Sequence, residues 1–183
     1  MLEKEIKVML SEEEYALLSA RLRADGEVVQ TNHYYYSPDC AAARISVRVR
    51  EVDGRSLLQV KLPVKTEGSL AVREELEREL SGVPSAIPAE LLEEVCGVRD
   101  EAVRIGSLTT DRKLSYEIDG VELCLDRNDY LGITDCELEA EYTGDYPEAV
   151  DELLRELGID AGRPCEGKYS RFCRRLSELR QEQ

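Results

Sequence analysis

A chain of 183 residues buries a sizeable core in one domain, 1–183, and with no tryptophan and one phenylalanine that core must be largely aliphatic. The formal charge of −15 repels nucleic acid and anionic membranes, so an anionic ligand binds only where positive side chains gather locally. No run approaches the ~18 apolar residues of a membrane span, and the charge-rich first residues are not a signal peptide.

Six cysteines (Cys40, Cys96, Cys124, Cys136, Cys165, Cys173) show no CxxC and no metal-ligand spacing, which predicts reduced thiols in a cytoplasmic protein. With His33 as the lone histidine, a Cys/His zinc site and serine–histidine chemistry have little to build on. His33 reads as a packed imidazole in a strand between tyrosines.

The first strand spans Leu2 to Val8. Alternation places Glu3, Glu5 and Lys7 on one face, with Leu2, Ile6 and Val8 opposite and Lys4 interrupting them. Alone, this stretch is either an ordinary solvated face or a device for a cation and its anion. Lys4 should point away from the side that holds Glu3 and Glu5. Ser11 followed by Glu14 is a capping box for a helix carrying Tyr15, Leu18 and Leu22, ended by Gly26. Val28 to Tyr36 is β-rich, and Ser37-Pro38-Asp39 reads as its closing turn.

Arg44 to Val52 alternates, with Arg44, Ser46, Arg48 and Arg50 on one face. Asp53-Gly54 then signals a hairpin into Ser56 to Leu62, where Leu57, Gln59 and Lys61 share a face. Ala71 to Glu79 is assigned as a strand bearing Arg73, Glu75, Glu77 and Glu79, although its Glu, Leu and Arg content also suits a helix. A short helix is expected over 84–97, then strands over 102–108 and 112–118. A second hairpin at Asp119-Gly120 leads into Val121 to Asp126. Thr134 to Tyr142 is a strand lined by Glu137, Glu139 and Glu141. Helices over 147–157, between Pro147 and Gly158, and over 169–179 close the chain.

These charged faces allow two architectures. A sandwich would turn them to solvent and pack the apolar faces together. An eight-stranded antiparallel β-barrel would turn them into a polar lumen, with amphipathic helices covering its apolar outside, an α+β fold. Buried charge of this density makes sense only if the lumen is wet and occupied. Arginine forks and lysines suit phosphate oxygens, while carboxylates suit hard cations such as Mg²⁺ or Mn²⁺.

The motifs, in order, resemble those of the CYTH, or triphosphate tunnel metalloenzyme, superfamily. Glu3-Lys4-Glu5-Ile6-Lys7 matches its ExExK. Asn32 to Asp39 is similar to its N-x-YFDTPD stretch, with Tyr36 departing where many members carry Asp or Thr. Val47-Arg48-Val49-Arg50, Leu58-Gln59-Val60-Lys61 and Arg73-Glu74-Glu75-Leu76-Glu77 follow its pattern. So do Thr110-Asp111-Arg112, Leu123-Cys124-Leu125-Asp126, Tyr130-Leu131-Gly132, Asp135 to Glu141 and Lys168-Tyr169-Ser170-Arg171-Phe172. The likeness runs from residue 2 to about 172 and is strongest to the small Gram-positive bacterial branch.

The resemblance implies a tunnel that hydrolyses or cyclises a small-molecule triphosphate with Mg²⁺ or Mn²⁺. It implies Glu3, Glu5, Glu139 and Glu141 as metal ligands, with Glu137 behind them. Lys7, Arg48, Arg50, Lys61, Arg112 and Lys168, and more weakly Arg73, become the triphosphate clamp. Glu5, Glu139 and Lys168 are the catalytic candidates. Glu75, Glu77 and Asp126 orient the bases, with Asp126 alternatively joining the metal shell. Adenylate cyclisation and a non-catalytic polyphosphate- or nucleotide-binding module are the rival functions. No nucleic acid or membrane partner is expected, and a monomer or homodimer is.

Overall fold

The computed structural model describes residues 4–67, 70–163 and 165–182, with side chains described outside 63–74. Among the described residues the chain is α+β, with five helices and nine strands that pair antiparallel. Contacts divide it into two compact units. Among the described residues, one comprises 4–29 and 109–182, the other 30–108. Two strands, β2 (Gly26–Tyr36) and β7 (Ala102–Ser115), contribute residues to both.

In the first unit the strand order is β1 (Lys4–Leu10), β9 (Ile133–Tyr142), β8 (Val121–Tyr130), β7. One face is apolar. Val8, Leu10, Leu123, Leu125, Leu138 and Ala140 form a core with Leu18 of α1 (Glu12–Arg21) and with Val150, Leu153 and Leu154 of α4 (Glu148–Glu156). Burial of these aliphatic side chains, at roughly 1.5–3 kcal/mol each, fixes which face looks away from the helices. The other face carries the acids. Lys4 is exposed and donates to the Gly144 carbonyl, so the register expected of the first strand holds from residue 4 onward.

Helix α1 begins as the sequence predicts. Ser11 Oγ accepts from the Glu14 amide at 3.2 Å, and the Glu14 carboxylate accepts from the Ser11 amide at 2.8 Å. Arg163 grips the same carboxylate with both terminal nitrogens, at 2.7 and 2.9 Å. That grip, with the Ser11 amide, pulls the Glu14 pKa down to about 2. Ser11→Ala should cost about 1 kcal/mol in chemical denaturation, because one amide of the first turn loses its acceptor.

In the second unit the order is β2, β3 (Ser46–Val52), β4 (Arg55–Glu67), β5 (Leu70–Leu80). Val47, Val49, Leu58, Val60 and Tyr35 pack with Leu92 of α3 (Ala89–Cys96) and with Ile87 of β6 (Ala86–Ile87), which pairs with β7. Asp53 and Gly54 both take positive φ, 52° and 74°, the hairpin conformation that their sequence signals. The stretch 71–79 is a strand, as assigned. β1 and β5 are edge strands, so the sheet is not closed among the described residues. The expected barrel is therefore established only as far as an antiparallel sheet.

Several boundaries differ from expectation. The strands expected over 102–108 and 112–118 are one continuous β7, because Thr109 and Thr110 are β-branched and carry the extended chain through. The turn at Ser37 is a short helix, α2 (Pro38–Ala42), with Ser37 Oγ accepting from the Cys40 amide. Arg44 sits at φ 57° and starts no strand, so β3 begins at Ser46. The helix expected over 84–97 divides into β6 and α3, and the last helix, α5, spans Lys168–Gln181. All six cysteines are free, and among the described residues no helix is long and apolar enough to cross a membrane.

Candidate functional site

Two charged clusters form, one in each unit. The first is built on the polar face of β1, β9, β8 and β7. Register sets Glu5 opposite Glu141 and Lys7 opposite Glu139. On the other side of β9, Glu141, Glu139 and Glu137 face Glu122, Cys124 and Asp126. Arg112 lies opposite Asp126. Glu139 is the junction. Its carboxylate meets Lys7 Nζ at 2.9 Å, Arg112 Nη2 at 2.6 Å and Lys168 Nζ at 3.0 Å. Lys7 also reaches Glu5 at 3.0 Å, and Arg112 holds Asp126 with two parallel bonds of 2.7 and 2.8 Å.

Lys168 opens helix α5 and enters this face. Its ammonium bonds Asp126 at 2.8 Å, Glu139, and Glu137. Phe172, one turn on, is fully buried with its ring 6.2 Å from that of Tyr130, and so anchors the helix that delivers Lys168. Arg171 docks beside it, on Asp135 at 2.9 Å and Glu137 at 3.0 Å.

The electrostatics follow from burial. Asp126 and Glu137 are 0% exposed and Glu139 5%. Burial alone would raise the Glu139 pKa, but Lys168, Lys7 and Arg112 outweigh it and hold the carboxyl well below its ordinary range. Burial likewise opposes charge on Lys7, Arg112 and Lys168. Glu139 with Glu5 for Lys7, Asp126 with Glu139 for Arg112, and Glu139 with Glu137 and Asp126 for Lys168 reverse it and raise all three. Glu139, Lys7, Arg112 and Lys168 are therefore ionised at neutral pH. Ligand oxygens of Asp126, Glu137 and Glu139 lie within 4.8 Å of one another, as do donor atoms of Glu122, Cys124 and Glu141. The first of these sets is all oxygen and suits a hard divalent cation.

The second cluster lies on β2, β3, β4 and β5. Arg48 Nε donates to Gln59 Oε1 at 2.7 Å, and its Nη2 lies 3.4 Å from Glu75. Lys61 pairs with the other Glu75 oxygen at 3.0 Å, and Arg50 Nε donates to Asn32 Oδ1 at 3.1 Å. Gln59 donates to Glu77. Burial of Glu75 is outweighed by Lys61 and Arg48, which lower its pKa. Glu75 thus holds Arg48 and Lys61, the role expected of it, whereas Glu77 accepts from Gln59 and touches no base in the contacts described. His33 Nε2 lies 2.7 Å from Glu51 Oε2, on the opposite face of the strand from Asn32. Glu3 lies outside the described residues. Arg73 stands opposite Pro63 on β5, and its side chain also lies outside the description.

Sequence reasoning assigned no role to Asp135, Asn128, Thr110, Tyr130 or Arg171. Asn128 donates to Asp135 at 3.0 Å and to Glu137 at 3.2 Å, Thr110 donates to Asn128 at 2.7 Å, and Tyr130 to Asp135 at 2.7 Å. The signal was the two-residue turn Leu131-Gly132, which fixes Tyr130 opposite Ile133 and hence every pair below it.

A family model, the CYTH domain, matches residues 1–164. A structure described as a putative adenylate cyclase from Bacillus halodurans is 27% identical, with a TM-score of 0.70 over 94% of this chain and 99% of that one. A putative adenylyl cyclase from Hippeastrum, described as having a dominant triphosphatase activity, is 27% identical. Its TM-score is 0.73 over 94% of this chain and 95% of that one. A Pyrococcus horikoshii protein, 22% identical with a TM-score of 0.62 and 99% of each chain covered, shares the fold. No curated protein sequence gives a significant match.

Proposed function

Because the chain belongs to the CYTH domain family, we propose that it hydrolyses a triphosphate with the help of Mg²⁺ or Mn²⁺. The observation that carries the reading is Glu139, a buried carboxylate ringed by Lys7, Arg112 and Lys168. A face that combines oxygen ligands with permanently charged bases matches a metal-bound polyphosphate in both sign and hardness. The proposed ligands are Glu3, Glu5, Glu139 and Glu141, with Glu137 behind them. An ion held by these carboxylates would supply positive charge against that developing on phosphate oxygens.

The raised pKa values of Lys7, Arg112 and Lys168 keep them cationic, so they grip phosphate oxygens and stabilise the transition state. Arg48, Arg50, Lys61 and Arg73 are assigned to the same substrate. Glu5 or Glu139 orients the attacking water. Closure of the sheet into a barrel, a single 1–183 domain, the small Gram-positive branch, a cytoplasmic location and a monomer or homodimer belong to the same proposal.

The test is a phosphate-release screen over inorganic triphosphate, thiamine triphosphate and ATP, each with Mg²⁺ and Mn²⁺. Release from at least one is expected. The names of two similar structures support a second reading, cyclisation of ATP, which appears as cyclic AMP and pyrophosphate instead. Tight triphosphate binding with neither product would make the chain a binding module.

A further inference from the structure

The second cluster holds two side chains that its ion pairs leave unexplained. Gln30 and Asn32 lie two residues apart on β2 and so share a face. They are 4% and 0% exposed. Gln30 Nε2 and Asn32 Nδ2 have no hydrogen-bond partner among the described residues. A buried amide nitrogen without an acceptor costs roughly 1–3 kcal/mol, so a fold that keeps two of them side by side carries a standing penalty.

The orientation of Asn32 is not arbitrary. Arg50, directly opposite on β3, donates its Nε to Asn32 Oδ1 at 3.1 Å. Turning the amide over would set donor against donor, so the arginine fixes the NH₂ group with its hydrogens directed away from Arg50 Nε. The outcome is a neutral two-hydrogen donor locked beside a guanidinium, with a second neutral donor one pleat away. Such a set complements an acceptor-rich anion. The guanidinium supplies charge, and the amides supply direction without adding to the repulsion among Arg48, Arg50 and Lys61.

We propose that Asn32 and Gln30 are hydrogen-bond donors to phosphate oxygens, positioning the triphosphate against Arg50. This rests on the triphosphate reading of the preceding subsection. The two amides are held unsatisfied in the free protein and gain their acceptors only from the ligand.

The test is calorimetry with a triphosphate analogue whose bridging nitrogens resist hydrolysis, in Mg²⁺, beside thermal unfolding of the ligand-free protein. Gln30→Met keeps length and shape but removes the donor. Asn32→Asp keeps the oxygen that Arg50 uses and removes the other donor. We expect Gln30→Met to melt at or above the wild-type temperature and to bind about tenfold more weakly, since one hydrogen bond to a charged oxygen is lost. Asn32→Asp should bind more weakly still, because a carboxylate then faces phosphate. A purely structural role reverses the pattern, with a lower melting temperature for Gln30→Met and wild-type affinity in both variants, and overturns the proposal. Should Gln30→Met fail to fold, the affinity of Asn32→Asp decides alone, wild-type binding overturning it. Failure of the wild-type protein itself to bind the analogue sinks the triphosphate reading, whereas wild-type binding with unaffected variants sinks only the assignment of the amides.

Discussion

Glu139→Gln is expected to lower metal-dependent phosphate release by about 10²–10³-fold and to lower stability by about 3–5 kcal/mol. Both effects have one cause. The carboxylate is the shared counter-ion of Lys7, Arg112 and Lys168, and a neutral amide leaves three cations facing one another in a buried place. Glu5→Gln separates the two effects. The Glu5 side chain is 36% exposed and, among the described residues, pairs with Lys7, so activity should fall while the melting temperature stays within a degree or two. Phosphate release together with thermal unfolding checks both variants. Full activity in either removes that residue from the metal set. Loss of stability in Glu5→Gln would mean that the exposed end of the first strand bears more of the fold than its ion pair suggests.

The same residue gives a pH dependence. Glu139 has a folded pKa well below its ordinary 4.5, so its stabilising contribution is complete above pH 4.5 and is lost as pH falls toward the folded value. Glutamine does not titrate. The stability difference between wild type and Glu139→Gln, measured by denaturation in a chelator, should therefore be constant from pH 5 to about 8 and shrink below 4.5. Lys7 and Lys168, shifted upward, contribute stability that is complete below their ordinary 10.5 and is lost only above it, so they leave that acid window untouched.

How much of this was legible depends on how local the information is. Alternation along a strand is local. Glu5 and Lys7, Glu137 to Glu141, and Arg48 and Arg50 could be placed on faces from spacing alone, and Lys4, which breaks the apolar face, is indeed exposed. Register across a hairpin is one step less local, yet it too was present. Asp53-Gly54 pairs Val52 with Arg55, and so Arg48 with Gln59. Leu131-Gly132 pairs Tyr130 with Ile133, and so Asp126 with Glu137 and Asn128 with Asp135. Counting outward from the second turn would have exposed the Asn128–Asp135 pair and the stack of acids on Asp126, because each two-residue loop admits one register.

Non-local contacts were not legible. Lys168 meets Asp126 across 42 residues of sequence and Arg163 meets Glu14 across 149, and neither spacing nor turn chemistry constrains such docking. The two expected strands leave a break at 109–111, whereas β7 runs through it, because Thr109 and Thr110 favour extension. The division into two compact units is not legible in strand periodicity, since alternating charged and apolar residues occur in the strands of both.

Lys168→Met should expose what the ammonium does. Lys168 Nζ contacts Asp126, Glu137 and Glu139, the same three carboxylates whose oxygens converge within 4.8 Å. It therefore stands where a cation would stand among them. Without it, mutual repulsion of the acids is opposed, among the described residues of this face, by Lys7, Arg112 and Arg171, and a loss of about 3–5 kcal/mol is expected in a chelator. A divalent ion can then take the vacated place. At 100 times its dissociation constant Mn²⁺ would return about 2.7 kcal/mol, so the melting temperature of the variant should climb with Mn²⁺ much more steeply than that of the wild type. Activity should stay low, by about 10²-fold or more, even when stability is restored, because the ion replaces the charge among the acids but not the ammonium that meets the phosphate. Equal Mn²⁺ responses in the two proteins would show that no divalent ion takes the place vacated by the Lys168 ammonium. Recovery of activity along with stability would reduce Lys168 to a brace for helix α5.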